Sequence, residues 1–455
     1  MSMVFLVTAL HVLLILLGVW LLGEVGIRLY LERPLQTSFY SSLPRAAVRQ
    51  RQAEVGVRMA TGFGWAHLGW IADPAVETYR IERKVGRSWE EAERVQFGSF
   101  LLREAGVYRV VAQPPKGAPE RVLGEVTVEP RSGSAPLYIP RLDGPWQPLF
   151  RPQVYGYYIN DHTLYQDAIG QWRLVGITDK SDGNFNAEKY FAVGMSDEFP
   201  TLKGMREAEP VADYGELAWA PHVIVDADHV YHMFWSPHRL HHAVSSDGIV
   251  WRDHRVVMPA PLHKFFRDPM VLQVAPGQWL LYATARGRYF SQIDVYQSFD
   301  LQSWQYIGTP LRSGWGSERN SPFASTESPF VIPYQGRYYL SITYNNDSPF
   351  WAGILVSFKV WPNRASYNDT LIFQSDNPYD FGVYRGQGRS PLRVHLARFA
   401  ARSPTLLARL QAHAAEYIYH PQRGQWYVTT AGWPWVATLT SGEVAVAPLR
   451  WDPVL

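Results

Sequence analysis

The sequence predicts a mainly β protein with a single N-terminal transmembrane helix, a small β-sandwich and a five-bladed β-propeller. Three observations predict this order. An apolar run opens the chain, apolar and polar residues alternate between about residues 60 and 130, and five similar strand-rich units follow from about residue 145. We therefore predict three regions: a transmembrane anchor at 1–35, a sandwich at 55–130 and a propeller at 145–455.

The composition limits the classes of protein that need to be considered. A length of 455 residues exceeds one ordinary domain and favours two or three folding units. The net charge is +2, from 43 basic and 41 acidic residues, so we expect no nucleic-acid partner. Cysteine is absent, which excludes disulfides, thiolate metal sites and thiol catalysis. Aromatic residues make up 14%, which suits strands, sugar-binding clefts and protein interfaces alike.

The apolar run extends from Met3 to Leu22 and is interrupted only by Thr8 and His11. It is long enough to cross a bilayer as a helix, and its apolar part is longer than the core of a typical signal peptide. The sequence therefore predicts an uncleaved anchor and a single-pass membrane protein. A cleaved signal peptide is the alternative.

The next region has the pattern of a small sandwich. The segments WIADPAVETYRIERKVG and GVYRVVAQ alternate apolar and polar residues around turn signals. Trp70, Tyr79 and Tyr108 stand where a fibronectin type III-like sandwich carries its core Trp and late-strand Tyr, so the region resembles that fold. Its predicted role is a spacer, a docking module or a plain structural domain.

Five repeated phrases dominate the rest of the chain, and each reads as a strand, a turn and a second strand rich in aromatic residues. They are YINDHTLYQDAIGQWRLVGIT, WAPHVIVDADHVYHMFWS, RDPMVLQVAPGQWLLYATA, ESPFVIPYQGRYYLSITY and HAAEYIYHPQRGQWYVTTAG. Acidic turns that lead into a Trp, SSDGIVW and QSFDLQSW, follow the second and third phrases. The repeat predicts four-stranded blades around a common axis.

Three of the phrases place an acidic motif at the start of the innermost strand: NDH at 160–162, RDP at 267–269 and ESP at 327–329. Together with the acid-to-Trp turns, these motifs resemble the five-bladed propellers of glycoside hydrolase families 43, 32 and 68. The resemblance covers the predicted propeller. It implies that two aspartates and a glutamate face one another across a central funnel.

The resemblance also implies a catalytic role for each carboxylate. Glycosidic bond cleavage needs one carboxylic acid to protonate the leaving oxygen and one carboxylate on the opposite face. Glu327 would be the acid, its pKa raised by neighbouring negative charge and by burial. Asp161 would be the base of an inverting mechanism or the nucleophile of a retaining one. Asp268, beside Arg267, would orient sugar hydroxyls or tune Glu327.

Arg267, His222 and His413 are the predicted substrate-binding residues. Family 43 propellers place a histidine near the axis, where it helps to hold a cation or a water molecule. His413 is the better candidate of the two histidines, so a cation on the propeller axis near His413 is one interpretation. No other cofactor and no protein-bound metal site are expected, because the chain has no HExxH, P-loop or dinucleotide motif.

The motifs depart from the family patterns at three positions. His162 and Thr163 replace the Pro and Asn that are usual in family 32, and Ser328 replaces the Gly that is usual in family 43. Such changes beside the carboxylates either shift specificity or mark a propeller that has lost catalysis. A further group, His238, His241 and His242, is predicted to lie on an outer loop.

Three functions remain open at the level of the sequence. The first is a membrane-anchored glycosidase that hydrolyses arabinose-, xylose- or fructose-containing chains. The second is a non-catalytic propeller scaffold that stabilises a larger membrane protein complex, whether respiratory, photosynthetic or envelope-building. The third is sugar binding without turnover. Partners would accordingly be the membrane, a saccharide or membrane proteins.

The side of the membrane also remains open. No Lys or Arg precedes the apolar run, whereas Arg28 and Arg33 follow it, and the positive-inside rule then favours a cytoplasmic propeller. Hydrolysis of polysaccharides would favour the periplasmic or extracellular side instead.

Overall fold

The computed structural model describes residues 39–114, 118–180, 187–201, 203–258, 266–286, 291–313, 326–344, 369–384, 405–434 and 439–454. This part of the chain is mainly β. Its helices are a 3-10 helix at Phe39–Ser42 and the helix α1 (Arg45–Val55). Pro44 precedes α1 and ends the 3-10 turn, and Gly56 ends α1 with a φ of 62°, a backbone conformation that favours glycine.

The predicted transmembrane helix is the part of the fold class that is wrong, and the predicted single-pass membrane location is corrected with it. Across the described ranges, no helix is long and apolar enough to cross a membrane. The Met3–Leu22 run, on which the prediction rests, lies outside the described residues.

Two sheets form a sandwich after α1. Its seven strands are β1 (Arg58–Gly62), β2 (Trp65–Gly69), β3 (Thr78–Val85), β4 (Ser88–Val95), β5 (Ser99–Leu102), β6 (Gly106–Gln113) and β7 (Arg121–Val128). One sheet has the order β1-β2-β5 and the other β4-β3-β6-β7. Trp70, Tyr79 and Tyr108 meet in a single core with Leu68 and Val110, which come from both sheets. The alternation in the sequence is therefore explained by burial of one face of each sheet.

The remaining strands form a propeller-like array of sheets. They are β8 (Tyr138–Leu142), β9 (Gln147–Phe150), β10 (Asn160–Gln166), β11 (Trp172–Thr178), β12 (Tyr190–Ser196), β13 (Arg206–Val211), β14 (Trp219–Val225), β15 (Tyr231–Ser236), β16 (Leu240–Ser245), β17 (Arg252–Met258), β18 (Arg267–Ala275), β19 (Gln278–Arg286), β20 (Ser291–Ser298), β21 (Gln305–Ser313), β22 (Thr326–Tyr334), β23 (Arg337–Tyr344), β24 (Asp369–Ser375), β25 (Gly382–Tyr384), β26 (Leu406–Gln411), β27 (Tyr417–His420), β28 (Gln425–Thr430) and β29 (Val444–Pro453).

Within the described ranges these strands make five sheets, which we number in chain order. Sheet 1 is β10-β11-β12-β13, sheet 2 is β14-β15-β16-β17, sheet 3 is β18-β19-β20-β21-β25, sheet 4 is β22-β23-β24-β26 and sheet 5 is β27-β28-β29-β8. Each of the five repeated phrases supplies the first two strands of one sheet. Each repeated phrase is thus one pair of antiparallel strands joined by a tight turn.

Sheet 5 joins the two ends of the array. This sheet contains the last three strands of the chain, β27 to β29. The much earlier strand β8 pairs with β29, and β9 also pairs with β29. Residues 138–150 come before sheet 1 in the sequence yet belong to the last sheet, so the described sheet begins earlier than the predicted start at residue 145. The pairing covers an edge that would otherwise expose backbone hydrogen-bonding groups.

Apolar clusters lie between successive sheets and position the inner strands. One cluster combines side chains of sheets 3 and 4, among them Tyr282, Ile342 and Phe373. Another combines sheets 1 and 2, among them Val175 and Met233. Because each sheet packs face to face with the next, the first strand of every sheet is held near the centre of the array.

Candidate active site

The inner strands begin with a shared irregularity. Strand pairing shifts at Asp161 in β10, at Ala220 in β14, at Asp268 in β18 and at Ser328 in β22. The φ angles of Ala220, Asp268 and Ser328 are 48°, 56° and 50°, and Ala414, just before β27, has a φ of 47°. Left-handed conformations are costly for residues other than glycine, and their recurrence here points to a functional constraint.

Asp161 and Asp268 share one hydrogen-bond donor, Ser328. The Ser328 hydroxyl donates a hydrogen bond to Asp161 Oδ1 at 2.5 Å, and the Ser328 backbone N–H donates to Asp268 Oδ2 at 3.0 Å. Asp161 lies on sheet 1, Asp268 on sheet 3 and Ser328 on sheet 4. Residues that are 60 and 167 positions apart from Ser328 in the sequence therefore meet at one point.

Glu327 joins this group through Arg267. Arg267 Nη2 lies 2.7 Å from Glu327 Oε1, and Arg267 Nη1 lies 3.6 Å from Asp268 Oδ2. All three predicted catalytic carboxylates are buried, with Asp161, Asp268 and Glu327 exposed by 7%, 5% and 4%. The structure thus brings together the three carboxylates and the predicted substrate-binding residue Arg267.

Further polar groups hold the two aspartates. Asn160 Nδ2 donates to Asp161 Oδ2 at 2.7 Å. The Thr284 hydroxyl donates to Asp268 Oδ2 at 3.0 Å, and the Asp268 N–H donates to Ser236 Oγ at 3.1 Å. Each aspartate is therefore fixed by at least two donors or acceptors, as buried carboxyl groups require.

Burial raises the pKa of both aspartates. The pKa of Asp161 rises to about 6, because loss of solvent outweighs the stabilising hydrogen bond from Ser328, and the charge of Glu327 adds to the rise. The pKa of Asp268 also rises to about 6, mainly through burial, against the opposing effect of Arg267. Both groups therefore titrate close to neutral pH.

Glu327 has the predicted burial and negative neighbours, and in addition an ion pair that the sequence did not predict. The sequence predicts an acid whose proton is retained through neighbouring negative charge, whereas the structure places Arg267 in contact with Glu327 at 2.7 Å. A guanidinium at that distance favours the ionised carboxylate. The assignment of Glu327 as the proton donor stays a prediction that has to account for this ion pair.

The two predicted histidines have different surroundings. His413 is fully buried, its Nδ1 donates to the Ala431 carbonyl at 3.0 Å, and Glu327 is among the charges that act on it. His222 donates from Nε2 to the Val271 carbonyl at 3.2 Å and packs edge-on against Phe330. Burial lowers the pKa of both, so both rings are neutral near pH 7. His413 borders the carboxylates, whereas His222 packs among the inner strands.

The described residues offer little support for a metal. Among them, no group of three or more histidine, aspartate or glutamate side chains is disposed to hold an ion.

A small cavity lies on the axis beside the site. It has a volume of about 20 Å³ and is lined by Asp161, Asp268, Ser328 and Glu416, together with prolines of the inner strands. That volume holds one water molecule. Burial raises the pKa of Glu416, and the charge of Asp161 adds to the effect.

Sequence reasoning missed three residues of this site. Ser328 stands out in the sequence only as a departure from a family pattern, and Glu416 stands three positions after His413 in the fifth phrase. Glu188 lies outside every repeated phrase, and no signal in the sequence distinguishes it.

The fold and the site together form a propeller-like array of sheets with buried carboxylates at its centre. The sequence model "Glycosyl hydrolases family 32 N-terminal domain" matches residues 218–320, which include sheet 2 and most of sheet 3. No curated protein matches the chain.

Several solved structures are similar to the chain at low identity. A thermostable family-43 glycoside hydrolase is 16% identical, with 67% of this chain and 93% of that chain covered and a TM-score of 0.40. The alpha-L-arabinofuranosidase from Podospora anserina, in complex with cellotriose, is 12% identical, with coverage of 68% and 97% and a TM-score of 0.42. The GH32 beta-fructofuranosidase from Bombyx mori, a mutant in complex with sucrose, is 12% identical, with coverage of 67% and 62% and a TM-score of 0.45.

Proposed function

We propose that this protein hydrolyses glycosidic bonds with carboxyl groups contributed by sheets 1, 3 and 4. One observation carries the proposal: Ser328 hydrogen-bonds both Asp161 and Asp268, while Arg267 pairs with Glu327 next to it. Three buried carboxyl groups are costly to bring together, and a structural role alone does not need them. The family 32 match over residues 218–320 supports the same reaction class.

Asp161 is the proposed base or nucleophile. With a pKa of about 6 it is largely ionised at neutral pH, and it is basic enough to accept a proton from water. If the mechanism inverts, Asp161 activates that water, and if it retains, Asp161 attacks the anomeric carbon. Asp268, whose pKa is also about 6, orients the sugar and adjusts the charge of the group.

Glu327 is the proposed proton donor, and its ion pair gives Arg267 a part in binding. In the resting site Arg267 favours the ionised form of Glu327. A sugar hydroxyl that accepts a hydrogen bond from the Arg267 guanidinium would weaken the ion pair and allow Glu327 to hold a proton. Binding of substrate would then prepare the acid.

The proposed substrates are arabinose-, xylose- or fructose-containing saccharides, which follows from the resemblance of the motifs to families 43, 32 and 68. We further infer that the five sheets are the blades of a five-bladed propeller and that residues 55–130 are a fibronectin type III-like spacer. The strand orders β1-β2-β5 and β4-β3-β6-β7 and their common core support the second inference.

The test compares Asp161→Asn and Glu327→Gln with the wild-type protein on arabinan, xylan and fructan oligosaccharides. An amide can neither accept nor donate the required proton, so we expect each variant to lose about 10²- to 10⁴-fold in kcat. Glu198→Gln, at an exposed position, is the control and should keep wild-type rates.

Two results would count against this function. Unchanged rates in both variants would show that the observed activity does not use this site. Saccharide binding by calorimetry, with no turnover by the wild-type protein, would make the site a binding module instead.

A further inference from the structure

A further buried acidic residue, Glu188, lies close enough to Asp161 for the charges of the two carboxyl groups to interact. It is exposed by 1%, and it precedes β12 in the connection that returns from β11. The hydroxyl of Tyr158 donates a hydrogen bond to Glu188 Oε1. Tyr158 is three residues before Asp161, so this contact ties Glu188 to the beginning of the strand that carries the proposed base or nucleophile.

The backbone of Glu188 is also fixed. Its carbonyl accepts a hydrogen bond from the Ala218 N–H at 2.8 Å, directly before β14 of sheet 2. Glu188 is therefore clamped between the starts of two inner strands, and its side chain cannot turn to solvent without breaking the Tyr158 contact.

The groups that face Glu188 come from four parts of the fold. They are Tyr158 before β10, Asp161 on β10, Asp179 after β11 and Trp433 after β28. None of these is a cation, and two are carboxyl groups. The nearest lysine in the sequence, Lys189, is exposed. The hydrogen bonds from Tyr158 and Trp433 favour ionised Glu188, whereas burial and the charges of Asp161 and Asp179 favour the protonated form, and burial is the largest of these effects.

We propose that Glu188 is a positioning residue that keeps a proton between the starts of β10 and β14 and thereby allows Asp161 to carry the negative charge. Protonated Glu188 places no charge beside Asp161. Ionised Glu188 adds a second buried negative charge, which repels ionised Asp161 and works against its function. The direction of the pKa agrees, since burial raises the pKa of Glu188 to about 8. The part that concerns catalysis rests on the proposed function, whereas the retained proton does not.

The retained proton makes a prediction about stability that requires no substrate. The folded state holds this proton up to about pH 8, while an unfolded glutamate with the ordinary value of 4.5 has already lost it. The contribution of Glu188 to the free energy of unfolding therefore decreases as pH rises between these values and is constant above about pH 8.

The experiment measures the Tm of the wild-type protein and of Glu188→Gln from pH 5 to pH 9, with Glu198→Gln as the exposed control. We expect the Tm of Glu188→Gln relative to wild type to rise steadily up to about pH 8 and then to level off, because glutamine keeps the neutral shape at every pH. The control should show no such trend. A difference that is constant across the range would overturn the proposal.

Tyr158→Phe provides a second variant. The Tyr158 hydroxyl stabilises ionised Glu188, so its loss should move the levelling-off point to higher pH. An unmoved point would contradict the assignment of the titration to Glu188.

A pH–rate profile of kcat/KM tests the link to Asp161. In the wild-type protein the rate should fall above about pH 8, and in Glu188→Gln this alkaline decrease should become less steep while the acid limb stays, because only the proposed proton donor Glu327 then still loses a proton there. An unchanged alkaline limb would overturn the link to Asp161. If no substrate is turned over, the proposed function fails, but the Tm series still decides whether Glu188 retains the proton.

Discussion

At the scale of single residues, Ser328 shows how a departure from a motif acquires a role. The position needs a φ of 50°, which a glycine adopts without strain and a serine does not. In return the serine hydroxyl donates a hydrogen bond to Asp161 at 2.5 Å. This bond favours the ionised form of Asp161 and so opposes the effect of burial on its pKa.

Ser328→Gly should therefore raise the pKa of Asp161. A hydrogen bond to a charged group contributes about 1.5 to 3 kcal/mol, and a change of about 1.36 kcal/mol corresponds to one pH unit. Allowing for compensation by water, we expect the acid limb of kcat/KM to move up by about one pH unit. The pH–rate profile measures this shift.

Ser328→Ala distinguishes the effect of losing the hydroxyl from the effect of the left-handed backbone conformation. Alanine also lacks the donor, but it keeps the cost of the left-handed conformation, about 1 kcal/mol relative to glycine. Both variants should show the same shift of the acid limb, and Ser328→Gly should be more stable than Ser328→Ala by about 1 kcal/mol. An acid limb that moves in neither variant would mean that the hydroxyl does not control Asp161.

At the scale of elements, sheet 2 carries two pairs of histidines, one pair on each face. His232 Nδ1 lies 2.9 Å from His242 Nε2, and His232 Nε2 lies 3.1 Å from Asp226. His241 Nδ1 lies 3.0 Å from His254 Nε2. The predicted position of His241 and His242 on an outer loop is wrong. Both lie on β16 and are only 2% exposed, because strand alternation sends neighbouring side chains to opposite faces.

These buried histidines make the sheet sensitive to acid. Burial lowers the pKa of His242 to about 3 and that of His241 to about 4. An unfolded histidine binds a proton below about pH 6.5, whereas the folded ones stay neutral until the lower values. The contribution of these histidines to the free energy of unfolding is therefore fully present above about pH 6.5 and decreases as pH falls. At pH 5 the decrease is about 2 kcal/mol for His242 alone.

His242→Phe should reduce this loss. Phenylalanine is similar in shape and does not titrate, so the decrease in the free energy of unfolding from pH 7 to pH 5 should be smaller by about 2 kcal/mol. Urea unfolding at both pH values measures the decrease, and the comparison cancels the cost of leaving His232 without its partner at neutral pH. His229→Asn, at an exposed position, should retain the wild-type decrease. Equal decreases in all three proteins would refute this account.

At the scale of the whole molecule, residues Thr37–Leu455 form one compact unit, in which the sandwich is fixed to sheet 3 by buried amides. Gln305 Nε2 donates to the Trp70 carbonyl at 2.5 Å, and the Ala72 N–H donates to Gln305 Oε1 at 2.9 Å. Gln297 Nε2 donates to the Gly98 carbonyl at 2.6 Å. A side chain at position 98 would not fit, since its Cβ would lie 2.2 Å from the Trp70 carbonyl oxygen.

Gln305→Leu should weaken this interface. Leucine has a similar volume, but it leaves the half-buried Ala72 N–H without its acceptor, which costs about 1 kcal/mol or more. The urea midpoint should fall accordingly. Arg103→Ala, which removes an exposed ion pair with Asp376, is the control and should cost less than about 1 kcal/mol. If both variants lose the same stability, the buried amides do not hold the interface.

The sequence by itself determined the features that depend on local periodicity. Alternation predicted the sandwich strands, and the resemblance to a fibronectin type III-like sandwich implied the core residues Trp70, Tyr79 and Tyr108. The repeat predicted that Asp161, Asp268 and Glu327 occur at matching strand starts. Strands that repeat in sequence and pack in succession bring their starts to the same centre, and the resemblance of the NDH, RDP and ESP motifs to families 43, 32 and 68 implied that these three carboxylates meet there.

Only the tertiary structure decided which side chains touch. The Arg267–Glu327 pair and the two contacts of Ser328 depend on bulge geometry at the strand starts, where a change in φ redirects a side chain without altering the pattern of apolar residues. Glu188 lies in a connection that has no counterpart in the repeat. It accepts a hydrogen bond from Tyr158 because sheets 1 and 2 pack next to each other. Periodicity encodes the face on which a residue lies, whereas contact between distant segments is set by the packing of whole sheets, which no local pattern records.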